Sequence, residues 1–132
     1  MKELDLQRVT DEVERMCIEG NYFIGKEVLD KIKEAYAKEE SEVGKNILGQ
    51  IIENDEIAAN EQVPMCQDTG IVVVFLEVGT EVRIPGDIYA AINEGVRRGY
   101  EKGYLRKSVV KDPLDKVVSF DTHSFYFISN SL

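Results

Sequence analysis

The chain has 132 residues, 43% of them hydrophobic, which is enough for one modest core and too apolar for a disordered segment. Its 16 basic and 25 acidic side chains leave a formal charge of −9, which excludes a phosphate-reading surface and with it a nucleic-acid partner. No apolar run reaches the length of a membrane span, and the opening MKELDLQRVTDEVERM is charged throughout. The expectation is a cytoplasmic protein whose two cysteines, Cys17 and Cys66, are free thiols.

Leu6, Val9, Val13, Met16 and Cys17 recur at helical spacing and predict a first helix over 4–18, ended by Gly20 and Asn21. A second helix is predicted over 25–40, with Val28, Leu29, Ile32, Ala35 and Tyr36 on its apolar face. Ser41 reads as the cap of a third, reaching about Asn60, with Val43, Ile47, Leu48, Ile51 and Ile52 along one side. Short joints between these helices predict antiparallel packing, with the acidic surplus on the outer faces.

The period then changes. Ile71–Val78 is continuously apolar and rich in β-branched residues, which predicts a strand covered on both faces. Val82–Ile84 reads as a short second strand, and Pro85-Gly86-Asp87 as a turn whose Asp87 caps a helix to about Gly103. Ile88, Ile92 and Val96 form the stripe of that helix. Gly95, Gly99 and Gly103 fall roughly on one face, where a neighbouring backbone can approach closely or, alternatively, where a weak helix faces solvent. The segment LRKSVVKDPL stops at Pro113 and Leu114, and VVSFDTHSFYFISNSL beyond it is aromatic, serine-rich and almost uncharged. The fold class is α+β, with N-terminal antiparallel helices, a short sheet nucleus and a further helix. Helices first and strands later disfavour a repeating βα fold.

The chemistry concentrates in VPMCQDTGIVVVFLEV. A thiolate at Cys66 can ligate a soft metal or attack an electrophile. The alternative is a small buried hydrophobe at Cys66, followed by a DTG turn that launches a strand. Gln67 is an odd core residue between a thiol and the carboxylate of Asp68, and makes sense facing a polar ligand. Arg106, beside Lys107 and Ser108, offers a planar donor fork that matches a carboxylate, or simply offsets local acidity. A nucleophilic role for Cys66 would need a histidine, and the sequence has only His123.

These residues resemble a known family. MCQDTG followed by an apolar strand, then GYLRKSVVKDPL, together with the helical stretch NYFIGKEVLDKIKEAYAKEESEVGKNILGQIIENDEIAANEQVPMC, is similar to the alpha part of the class I, iron–sulfur fumarate hydratases. The L(+)-tartrate dehydratase alpha subunits are similar as well. The resemblance runs from near the N-terminus to Leu114, and residues 115–132 form a divergent tail. It implies a [4Fe–4S] cluster held by three cysteines with one iron open to a hydroxy-acid substrate. Cys66 is then one cluster ligand. Gln67 and Asp68 contact or orient substrate, Arg106 grips a substrate carboxylate, and Thr69 and Gly70 shape the turn. Cys17 has no matching role.

The resemblance further implies a small dicarboxylate substrate, a beta subunit or beta domain as partner, and an oligomer. The family pattern continues past DPL with an NTGDN-like segment and two more cysteines, which this sequence does not contain. The expectation is therefore a truncated alpha part, unable to assemble the cluster by itself. Three readings stand: a hydro-lyase subunit or fragment converting malate to fumarate, with tartrate dehydration close beside it; a catalytically silent helical fragment that binds another subunit; and a thiol enzyme pairing Cys66 with His123.

Overall fold

A computed structural model describes residues 2–67, 71–107, 110–112, 114 and 117–118, with 110–112 and 117–118 as backbone only. Two units can be distinguished, one of residues 1–17 and 68–132 and the other of residues 18–67. No helix among the described residues is long and apolar enough to cross a membrane.

The first unit is built on two βα pieces that run in the same direction. Strand β1 (Lys2–Glu3) leads into helix α1 (Leu6–Tyr22), and strand β2 (Val82–Arg83) leads into the helix Ile88–Lys102. The strands pair in parallel, Lys2 against Val82 and Glu3 against Arg83. Asp5 Oδ1 accepts from the backbone N–H of Gln7 at 2.9 Å and starts α1. Asp87 does the same for the later helix, accepting from Ala90 N at 3.0 Å, as its position before the apolar stripe predicts.

The two helices follow the strands' register. Thr10 Oγ1 donates to the Ala91 carbonyl at 2.9 Å. A Cβ on Gly95 would meet the Thr10 carbonyl and Val13, and one on Gly99 would meet Cys17 and Glu14. The glycine spacing thus marks a close approach of backbones. Ile88, Ile92 and Val96 are buried as their spacing predicts.

This arrangement corrects two expectations. Antiparallel packing is the expectation for the N-terminal helices; the helix Glu42–Glu61 does fold back along the helix Lys26–Lys38, but in the first unit the strands pair in parallel and the helix that packs on α1 runs alongside it. A βα piece also occurs twice. The first strand is only two residues long and lies ahead of the first helical period, so periodicity does not reveal it. Helix α1 itself continues through Gly20 and Asn21 to Tyr22.

Ile71–Val78 is a further correction, because it is not a strand. Its side chains alternate: Val72, Val74 and Leu76 are half-buried, while Ile71, Val73 and Phe75 are exposed. That is the two-residue period of a segment with one covered face. Val74, Phe75 and Leu76 line a cavity of about 520 Å³ with Val9, Val13 and Met16. Covered on one side only, the run has no use for its full apolarity in this unit.

The second unit centres on α2 (Lys26–Lys38) and α3 (Glu42–Glu61). The Ser41 hydroxyl caps α3, accepting from Gly44 N at 3.3 Å. Tyr36 packs at Gly49, and Lys33 reaches Glu56 at 2.9 Å, so α3 folds back along α2. No residue of α2 is buried, and Val43 and Ile47 on α3 are 70% and 53% exposed. The buried residues of α3 are Asp55 and Ala58.

In chain order the helix Ile88–Lys102 is α4. Strands β3 (Val110–Asp112) and β4 (Val117–Val118) pair antiparallel beyond it. The whole is mostly helical with small sheets, consistent with α+β. On the outer side of α4, Arg97 and Arg98 each hold Glu94 at 2.7 Å. These two hydrogen-bonded guanidiniums pull the Glu94 carboxyl down to about 2.

Candidate functional site

Cys66 is delivered by the end of α3. Gln62 adopts a left-handed backbone, φ 53°, and its N–H returns to the Ala58 carbonyl, a helix ending that glycine usually serves. Val63 N donates to the same carbonyl at 3.2 Å. Pro64 has no N–H to offer, so the next two backbone donors fix the path. Met65 N donates to the Asn21 carbonyl at 2.9 Å, and Cys66 N donates to Asn54 Oδ1 at 2.9 Å. Gln67 Nε2 then donates to Asn21 Oδ1. The thiol stands on a backbone held at two consecutive residues, with the next side chain bonded as well, all within the unit of residues 18–67.

Cys66 is exposed, and so is Gln67. The reading of Cys66 as a small buried hydrophobe is therefore set aside, and Gln67 is not a core residue. Cys17 has the opposite environment. It is 8% exposed, packed at Gly99, and burial pushes its thiol up to about 11. Its place between α1 and α4, with little of it exposed, gives an external group no access to the sulfur. Of the chain's two cysteines, Cys66 is the exposed one. Among the described residues no group of three or more His, Cys, Asp and Glu side chains gathers to hold a metal ion.

Arg106 belongs to the other unit, and the way α4 ends positions it. Gly103 N donates to the Gly99 carbonyl at 2.9 Å. Tyr104 turns left-handed at φ 53° with its ring 85% exposed. Leu105 N then returns to the Tyr100 carbonyl at 3.1 Å, and the Leu105 side chain is buried. Arg106 follows this anchor directly and is exposed, as is Lys107. Neither Cys66, Gln67 nor Arg106 lines the cavity beside α1.

Asp68, Thr69, Gly70, Ser108 and His123 lie outside the described residues. Sequence reasoning missed Asn21 and Asn54, the two side chains that hold the CQ dipeptide. The usable signal was a short amide inside each helix, a residue type that competes with helical backbone and needs a reason to be there.

A family profile described as fumarate hydratase (fumerase) matches residues 10–123. A protein of Methanocaldococcus jannaschii provisionally named L(+)-tartrate dehydratase subunit alpha is 40% identical over 105 residues, covering 78% of this chain and 37% of its own length. The L(+)-tartrate dehydratase subunit alpha of Escherichia coli K12 is 31% identical over 85 residues, covering 64% of this chain and 28% of its own. The Shigella boydii subunit of the same name matches equally. The chain spans about a third of the length of the curated relatives it matches.

Proposed function

We propose, from the premise that the chain belongs to the fumarate hydratase family, that it supplies part of the alpha side of an iron–sulfur hydro-lyase that interconverts malate and fumarate. The observation that carries this reading is Cys66: an exposed thiol in the CQDTG sequence, on a backbone fixed by Asn54 and Asn21. In this reading Cys66 is one of three thiolates that hold a [4Fe–4S] cluster in the complete enzyme. Cys17 is not another, because it is closed inside its own unit. The remaining thiolates come from protein that this chain does not span, and the chain alone holds no cluster.

Removing water from malate takes a proton from one carbon and hydroxide from its neighbour. When bound, the cluster supplies a Lewis acid for the departing hydroxyl. The residues of this chain do the rest of the holding. Arg106 presents two parallel donors to a substrate carboxylate and stabilises the charge that develops as the proton leaves. Gln67, its amide already bonded to Asn21, offers a fixed polar face beside the thiolate. Asp68 orients or contacts substrate next to it. The family portion is read as residues 1–114 and the tail as 115–132, while the profile match itself runs to residue 123. The working state is a cytoplasmic oligomer with a beta subunit or beta domain.

Tartrate dehydration is the alternative, favoured by the names of the relatives. The two substrates differ by one hydroxyl. The exposed apolar faces of α2 and α3 also suit a silent fragment that binds another subunit. The test is anaerobic reconstitution of the chain with its beta partner, assayed with malate, fumarate and tartrate. An assembly with neither cluster absorbance nor hydration overturns the hydro-lyase reading, and the preferred substrate decides between the two acids.

A further inference from the structure

The loop that carries Cys66 depends on an unusual pair in α3. Asn54 accepts the Cys66 N–H through Oδ1 at 2.9 Å, and its own Nδ2 donates to Asp55 Oδ1 at 3.3 Å. Asp55 is 4% exposed, and its second oxygen, Oδ2, has no partner among the described residues. A buried carboxylate oxygen left unbonded weakens the fold. The other oxygen holds the Asn54 amide. An amide side chain can present either its oxygen or its NH₂ to a neighbour, and only the oxygen can accept the Cys66 N–H. A carboxylate that accepts from Nδ2 turns the amide so that Oδ1 faces Cys66.

We propose that Asn54 is a positioning residue for the Cys66 thiolate, and that buried Asp55 fixes the orientation of the Asn54 amide. The pair acts on the backbone of Cys66 and touches neither substrate nor sulfur. By engaging the Cys66 N–H, it also keeps that donor away from the thiolate. An N–H aimed at a ligating sulfur alters the redox behaviour of a cluster, so its engagement elsewhere is a functional setting as well as a mechanical one. The functional part of this inference rests on the reading of Cys66 as a cluster ligand. The mechanical part does not.

The experiment is amide hydrogen exchange on the full chain, resolved at Cys66 and along α3. Asn54→Ala removes the acceptor and should speed exchange at Cys66 roughly tenfold, the factor one net hydrogen bond is worth, with the central amides of α3 unchanged. Asp55→Ala should do the same. Asp55→Asn keeps a carbonyl toward Nδ2, so it should retain protection. If α3 amides accelerate together in the alanine variants, the pair is a general helix stabiliser and the proposal falls. Unchanged exchange at Cys66 overturns it equally.

Should the alanine variants fail to fold, Asn54→Gln, which keeps the amide but displaces its oxygen, decides instead by the same criterion at Cys66. In the reconstituted assembly, Asn54→Ala should release the cluster faster than wild type while Asp55→Asn holds it longer than Asn54→Ala. Cys66→Ala is run beside them. If that variant keeps the cluster, the ligand reading fails while the exchange result still judges the anchoring by itself.

Discussion

Cys17 and Gly99 meet where α1 and α4 run closest: a methyl group on residue 99 would lie 2.7 Å from the Cys17 Cβ. No real contact is that short, so Gly99→Ala must push the helices apart. Alanine gains about 1 kcal/mol of helix propensity, but overpacking costs about 1–3 kcal/mol, and the expected outcome is net destabilisation. Gly95→Ala should be worse, since it meets the Thr10 carbonyl at 2.6 Å and backbone cannot swing aside. Gly20→Ala is the control, because among the described residues nothing lies within 4 Å of its added methyl. It should stabilise by about 0.5–1 kcal/mol. Urea midpoints at constant slope measure all three; a more stable Gly95→Ala protein would contradict the packing described.

The two thiols should respond oppositely to an alkylating reagent. Cys66 is exposed, whereas Cys17 is buried with its thiol pushed up to about 11. At pH 8 the reagent should modify Cys66 and spare Cys17 until denaturant is added. Mass spectrometry of the native protein settles this, and equal labelling rates would refute it. A raised folded value means that folding favours the protonated thiol. That contribution is whole below the unfolded value of 9.0 and is lost as pH rises through about 11. Alkaline destabilisation in this window should therefore shrink in Cys17→Ala.

Glu94 carries the acid-side signature. Arg97 first, then Arg98, hold its carboxyl at about 2 against an ordinary 4.5. A depressed value contributes stability that is present above 4.5 and lost as pH falls toward 2. The melting temperatures of wild type and Glu94→Gln should differ most above that window and converge as pH descends through it. The group is on the surface, so salt should narrow the difference as well. A gap that persists at pH 2 would rule out the ion pairs as its source.

Cys66 and Arg106 should be separable in the assembled enzyme. Cys66→Ala is expected to lose both cluster absorbance and activity. Arg106→Lys should keep the cluster, because it is proposed to touch substrate and not iron. Lysine retains the charge without the two-pronged geometry, so binding and turnover should fall together. A full cluster in Cys66→Ala, or a lost one in Arg106→Lys, would reverse the assignments.

Much of this was legible in the sequence for reasons that are local. The four helices follow from apolar spacing, and Ser41 and Asp87 cap where such residues should. The glycine repeat announced a tight helix contact, and Gly95 and Gly99 make it. What the sequence withheld is mostly what lies far away along the chain. Lys2–Glu3 becomes a strand only because Val82–Arg83 pairs with it. Apolar spacing on α2 and α3 says which side is greasy, not whether anything covers it, so Val43 and Ile47 were expected inside and are exposed. Ile71–Val78 misled in the same way. Cys66, Gln67 and Arg106 are singled out by motif; Asn21 and Asn54 leave only a faint signal, an amide within a helix, because an amide's partner on a turn cannot be inferred from spacing.

The parallel βα pairing also dictates an order of events. Thr10 meets Ala91 across 81 residues of sequence, and Leu4 meets Arg83 through a backbone bond of 2.9 Å. Lys33 and Glu56, which tie α2 to α3, are separated by only 23. Closing the longer loop costs more chain entropy, and contacts of high sequence separation form slowly. A refolding chain should therefore zip α2 onto α3 first and dock α4 against α1 afterwards. In pulse labelling, the amide of Lys45, bonded locally to Ser41, should become protected ahead of that of Leu4.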